Sequence, residues 1–184
     1  MPRLNQPAKN LLVLGGARSG KSSYAQKLAE TSGRRPVLIA TAQAHDAEMA
    51  ARIARHAAER GADWGLIEEP LELAPALVRE AREDRIIVVD CATLWLSNLL
   101  LLEADLAEAT DQLARSVARL GGPVIFVSNE VGGGIVPENA LARTFRDAQG
   151  WLNQALAAAC DSVVLITAGI ALQLKPLEQP QFRF

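Results

Sequence analysis

At 184 residues the chain is long enough for one sizeable core, and no Pro/Ser-rich linker divides it, so residues 1–184 read as a single domain with a loose tail over residues 1–9. Hydrophobic residues at 49%, charged residues at 22% and a formal net charge of −2 fit an ordinary soluble globular protein and argue against broad capture of nucleic acid or an anionic membrane. The most apolar stretch, Leu94–Leu102, is interrupted by Ser97 and Asn98 and falls short of the roughly 20 residues that span a bilayer. No apolar stretch of signal-peptide type opens the chain, and a cytoplasmic location is expected. Cys91 and Cys160 have neither C-x-x-C nor metal-site spacing and are expected to be reduced core thiols.

The first element is an apolar strand that runs into a glycine-rich loop and a helix, LLVLGGARSGKSS over Leu11–Ser23. The loop satisfies G-x-x-x-x-G-K-[ST], with Gly15, Gly16, Ala17, Arg18, Ser19, Gly20, Lys21 and Ser22 as its members. Glycines let successive N–H groups turn inward at the positive end of a helix dipole, which makes a nest for phosphate oxygens. Lys21 is placed to reach the β- and γ-phosphates of a nucleoside triphosphate, and the Ser22 hydroxyl to ligate Mg²⁺.

Helical character continues from Lys21 to Thr31, with Gly33 as a stop. Val37–Ala42 reads as a strand buried on both faces, and a second helix is expected from Asp46 to Gly61. A helix bracketed at its start by Pro70 and Pro75 continues to about Glu83, before the strand Ile86–Asp90. Helical stretches Leu94–Leu102 and Asp105–Leu120 lead to a fourth strand, Val124–Asn129, and a loop through Glu138. A helix over Leu141–Cys160 and a fifth strand over Ser162–Thr167 complete the pattern. Strands alternating with helices imply an α/β fold, a mostly parallel sheet with helices on both faces.

Asp90 closes a hydrophobic strand, where it either holds Mg²⁺ beside the phosphate loop or caps the next segment. On the second helix Arg52, His56 and Arg60 are spaced i, i+4, i+8, and two flanking cations keep an imidazole neutral, as a nucleophile requires. Met49 and Ile53 lie beside that stripe, so a partly buried structural histidine is the competing reading. His45 reads as a surface loop residue. Glu68 and Glu69 bind a hydroxyl or metal, or are simply solvated. Gly132, Gly133 and Gly134 form a mobile lid or a plain connection, and Arg143 and Arg146 make a buried salt bridge or face a substrate.

Taken together, GGARSGKS, IATA, DAEMAARIARH, IEEP, VVDCATLWLSNLL, SNEVGGGIVPEN and RTFRDAQGWLNQALA resemble the bifunctional adenosylcobinamide kinase/adenosylcobinamide-phosphate guanylyltransferase family of cobalamin synthesis, from Asn10 to about Lys175. The resemblance implies a P-loop NTPase with a RecA-like core that phosphorylates the aminopropanol hydroxyl of adenosylcobinamide. It then implies transfer of GMP from GTP through a guanylyl-histidine, giving adenosylcobinamide-GDP and pyrophosphate. By resemblance the nucleophile is His56, with Lys21 and Asp90 catalytic and Ser22 and Asp90 holding Mg²⁺. GTP contacts are implied from Gly15 through Ser22, from Ala40, Thr41 and Ala42, from Ala57, Ala58, Glu59 and Arg60, and from Glu68 and Asp90. ATP as a second nucleotide and a homotrimeric assembly are implied by the family alone, with no nucleic acid and no membrane span.

Overall fold

The structure, a computed structural model, describes residues 9–43, 61 and 63–177. The elements in order are β1 (Asn10–Gly15), α1 (Lys21–Glu30), β2 (Arg35–Ala40), β3 (Gly65–Glu68), α2 (Leu73–Glu80), β4 (Arg85–Asp90), α3 (Ala92–Leu101), α4 (Leu106–Val117), β5 (Val124–Asn129), α5 (Ala140–Ala159), β6 (Ser162–Thr167) and β7 (Ile170–Lys175). Residues 46–60 of the helix expected from Asp46 to Gly61, and residues 1–8 of the tail expected over 1–9, lie outside the described residues; Lys9 is anchored, its N–H donating to Asp161 Oδ2 at 3.0 Å.

Seven strands form one sheet in the order β3-β2-β4-β5-β1-β6-β7, parallel throughout except for β7, which runs antiparallel to β6. Side chains alternate along each strand, so the two sheet faces carry separate cores. One face presents Leu12, Leu14, Ile39, Ile87, Val89 and Phe126 to α2, α3, α4 and α5. The other presents Val13, Leu38, Val88, Ile125 and Val127, and α1 packs on it through Ala25 and Ala29. Strands buried on both faces are continuous apolar runs, which is why β4 and β5 stand out in the sequence.

Two of the seven strands were not expected. β3 is a four-residue edge strand, too short for a period to show, and β7 is exposed along almost its whole length. The β6–β7 turn is Ala168–Gly169, both at positive φ (53° and 78°), as a two-residue hairpin requires. β2 begins and ends two residues earlier than expected because it is in register with β4, Arg35 opposite Arg85 and Ala40 opposite Asp90. Thr41 and Ala42 therefore stand beyond the strand. Helix α3 starts two residues before Leu94, since the Cys91 sulfur accepts the Leu94 N–H at 3.4 Å. α2 and α4 end at Glu80 and Val117, each three residues earlier than expected; α4 begins at its Asp105 cap, and Asn139 caps α5.

Candidate active site

The carboxyl ends of β1, β2, β4 and β5 form one rim of the sheet, where α/β folds place ligands. Between β5 and β6, β1 ends in Gly15, and the loop that follows turns tightly into α1. A Cβ on Gly15 would stand 2.7 Å from the Ile166 carbonyl oxygen and press on the Ser19 hydroxyl, so only glycine fits. Gly20 has φ 97°, Arg18 has φ 55°, and nothing lies within 4 Å of a Cβ on Gly16. The Lys21 ammonium is largely buried and donates to the Gly16 carbonyl at 3.0 Å. The Ser19 hydroxyl is enclosed without a hydrogen-bond partner. A glycine-lined turn with a folded-in lysine and an unpartnered hydroxyl fits a polyphosphate.

The loop is braced from the far end of the chain. The Gly169 N–H in the β6–β7 turn donates to the Ser19 carbonyl at 2.9 Å, and a Cβ on Gly20 would be 3.3 Å from the Gly169 Cα. On its other side the Glu130 N–H donates to the Gly15 carbonyl at 3.1 Å. Sequence reasoning missed this hairpin brace; the only local signal was Gly169 between two apolar runs.

Asp90, partly buried, ends β4 two strand positions from β1, about 10 Å across the ladder. The next residue ties this end of the sheet together. Cys91 gives its N–H to the Thr41 hydroxyl (3.0 Å) and accepts from it at its carbonyl (2.7 Å). Asn98 on α3 donates to the Thr41 carbonyl (2.8 Å) and to the Pro70 carbonyl (3.1 Å). Thr93 accepts the Asn129 N–H at 2.8 Å. Thr41, Thr93 and Asn98 are all buried, and only Thr41 had been singled out from sequence. Burial pushes the Cys91 thiol up to about 11, with the Asp90 carboxylate adding to the rise and Lys21 opposing it. Asp90 and Lys21 thus act on the same thiol with opposite sign. Both Cys91 and Cys160 are buried free thiols, as expected.

Not every candidate belongs to this cluster. Glu68 is exposed at the end of edge strand β3, opposite Ala40 and four strand positions from β1, about 19 Å across the ladder. Glu69 turns inward locally, accepting the Leu71 and Glu72 N–H groups at 3.1 and 2.8 Å, which caps the approach to α2. In the glycine loop Glu130 accepts the Gly132 N–H at 2.6 Å, and Ile135 and Val136 are exposed. Arg143 donates to the Pro137 and Glu138 carbonyls at 2.9 and 2.6 Å and fixes the entry into α5. His45, Met49, Arg52, Ile53, His56 and Ala57, Ala58, Glu59 and Arg60 lie outside the described residues. Among the described residues no three His, Cys, Asp or Glu side chains cluster to hold a metal. No helix among them is long and apolar enough to cross a membrane.

Comparison with known proteins extends these observations. The family described as cobinamide kinase / cobinamide phosphate guanyltransferase matches residues 11–174. The bifunctional adenosylcobalamin biosynthesis protein CobP of Pseudomonas aeruginosa is 49% identical over 166 residues, 89% of this chain and 96% of that protein. The bifunctional adenosylcobalamin biosynthesis protein CobU of Salmonella typhimurium is 40% identical over 180 residues, covering 90% and 99%. Among solved structures the RadB recombinase superposes with a TM-score of 0.52 at 18% identity, covering 85% of this chain and 73% of that one. A Pyrococcus horikoshii protein does so with 0.54 at 11%, covering 92% and 87%. At such identities these two show the fold alone.

Proposed function

The chain belongs to the cobinamide kinase / cobinamide phosphate guanyltransferase family and is a bifunctional transferase of cobalamin synthesis; from that premise we propose how its residues divide the two transfers. The reading rests above all on the phosphate loop, glycine-lined, closed by a buried lysine and on the same rim of the sheet as Asp90, two strand positions away.

In the first transfer the loop N–H groups and Lys21 hold the triphosphate and offset the charge that spreads over the γ-phosphoryl oxygens. The hydroxyl of the aminopropanol arm of adenosylcobinamide enters in line. Ser22 and Asp90 would hold Mg²⁺ with the phosphates, and the ion supplies further neutralisation of phosphoryl charge. Either GTP or ATP has the triphosphate that this step needs.

In the second transfer His56, between Arg52 and Arg60, attacks the α-phosphorus of GTP; pyrophosphate leaves, and the acceptor phosphate displaces the imidazole to give adenosylcobinamide-GDP. The neutral imidazole follows from the two flanking cations, which disfavour a third positive charge. Ala40, Thr41, Ala42, Ala57, Ala58, Glu59, Arg60 and Glu68 are proposed contacts of the guanosine half. The distance of Glu68 from β1 is consistent with a contact to the far end of the nucleotide. A cytoplasmic homotrimer is part of the same proposal.

Incubation with α-labelled GTP tests it. Wild-type protein should retain label through alkali and lose it in acid, as a phosphoramidate does. His56→Ala should lose the adduct while still phosphorylating the acceptor from γ-labelled nucleotide. A guanylyl adduct that survives in His56→Ala overturns the assignment.

A further inference from the structure

The segment RTFRD contains two arginines with different fates. Arg143 is spent on the Pro137 and Glu138 carbonyls. Arg146, one turn later, is partly buried, its Nη1 is enclosed without a hydrogen-bond partner, and no carboxylate among the described residues pairs with it. An enclosed guanidinium nitrogen without an acceptor is costly, because it has given up water and gained nothing.

Its position follows from α5. Arg146, Gln149 and Asn153 are spaced i, i+3, i+7 and share one side of the helix. Gln149 donates to the Ser128 hydroxyl (2.9 Å) and to the Asn153 side-chain oxygen (2.9 Å), while its own Oε1 is buried without a partner. Asn153 donates to the Asn129 carbonyl at 3.0 Å. Ser128 and Asn129 pair with Leu14 and Gly15, the last residues before the phosphate loop. Helix α5 joins two parallel strands and so runs back against them. Arg146 therefore stands about 10 Å beyond Asn153 along the helix, past the strand ends and over the same rim. It does so on the sheet face opposite α1, whose N-terminus carries the phosphate loop.

We propose that Arg146 binds the transferred phosphoryl group from the acceptor side and keeps hold of it as the phosphate monoester that the second transfer consumes. This rests on the bifunctional reading above. The phosphate loop holds the leaving diphosphate, and in-line transfer brings the acceptor in from the opposite side, where α5 presents its unpaired cation. In that step the acceptor oxygen forms a bond to the γ-phosphorus and the bond to the β–γ bridging oxygen breaks. The electron pair leaves with the nucleoside diphosphate, and the hydroxyl proton passes to solvent. A planar guanidinium matches the phosphoryl oxygens two at a time. The same contact then orients the new monoester for attack on the guanylyl group.

The test measures the two transfers separately in full-length wild type, Arg146→Ala and Arg146→Lys, with urea midpoints recorded for each. Loss of a charge-assisted contact should raise KM for cobinamide phosphate about 10- to 100-fold in Arg146→Ala. KM for unphosphorylated cobinamide and Kd for GTP should stay within about twofold. In a coupled run the alanine variant should release free cobinamide phosphate that wild type carries forward. Arg146→Lys should recover KM only in part, because it keeps charge without the fork, and its midpoint should match wild type, which separates this reading from misfolding. The proposal is overturned if both acceptors weaken equally, if GTP binding weakens instead, or if neither variant differs from wild type. Failure of wild type to make either product would instead overturn the bifunctional reading.

Discussion

The Thr41 hydroxyl accepts the Cys91 N–H at 3.0 Å and donates to the Cys91 carbonyl at 2.7 Å, so one side chain satisfies both backbone groups of a residue fifty positions away. The pair locks the end of β2 to the end of β4, next to Asp90, across a cis peptide between Asp90 and Cys91. Thr41→Val keeps the shape and removes both bonds at a fully buried position. It should cost about 1–3 kcal/mol in urea denaturation, since the buried Cys91 N–H is left unsatisfied while the Cys91 carbonyl keeps the Trp95 N–H at 3.3 Å. Thr41→Ser, which keeps the hydroxyl, should cost under about 1.5 kcal/mol.

Lys21 is common to both transfers. Lys21→Ala should lower kcat of each about 10²- to 10³-fold, the usual effect of removing one preorganised donor to developing charge. Asp90→Asn should instead move the divalent-cation concentration needed for half-maximal rate upward, measured by titrating Mg²⁺ at saturating nucleotide. A Lys21→Ala protein that retains either transfer at full rate would separate that transfer from the phosphate loop.

The two adjacent glycines of the loop should respond differently. Gly15→Ala places a methyl against the Ile166 carbonyl and the Ser19 side chain, which the backbone can relieve only by shifting the loop. It should lose about 1–3 kcal/mol of stability and weaken nucleotide binding measured calorimetrically. Gly16→Ala has open space around its Cβ and should be stable to within about 0.5 kcal/mol.

Burial pushes the thiols of Cys91 and Cys160 up to about 11 and about 12. Unfolded thiols titrate near 8.5, so above that pH the unfolded chain releases protons that the folded chain keeps. Stability from these groups is complete below about pH 8.5 and is lost as pH rises through the folded values. The urea midpoint should therefore fall from pH 9 to 11, and Cys160→Ala should flatten that fall. Neither thiol should react with iodoacetamide at pH 8 in the folded state.

Most of the core was legible in the sequence. β5 and β6 coincide with their expected bounds because buried parallel strands are unbroken apolar runs. Asp105 marks a helix start through its side-chain cap, whereas the Asn139 cap sets the start of α5 one residue before the expected Leu141. β3 and β7 were not legible, since an edge strand is specified by its neighbour rather than by its own composition. The phosphate loop was readable because its spacing is local. The contacts that hold the rim, Thr41 to Cys91, Thr93 to Asn129 and Asn98 to Pro70, join residues tens of positions apart, and no short window carries them. Arg146 was visible as a charge, but its unpaired state emerges only once α5 is seated on Ser128 and Asn129.

The brace between Gly169 and Ser19 has a consequence for modular engineering. The anion-holding motif occupies the beginning of the chain, yet the mould that sets its curvature is cast by a hairpin near the other end. A fragment carrying only the first strand, loop and helix would keep every motif residue and lose that mould, so transplanting the cassette requires bringing the distant turn along with it.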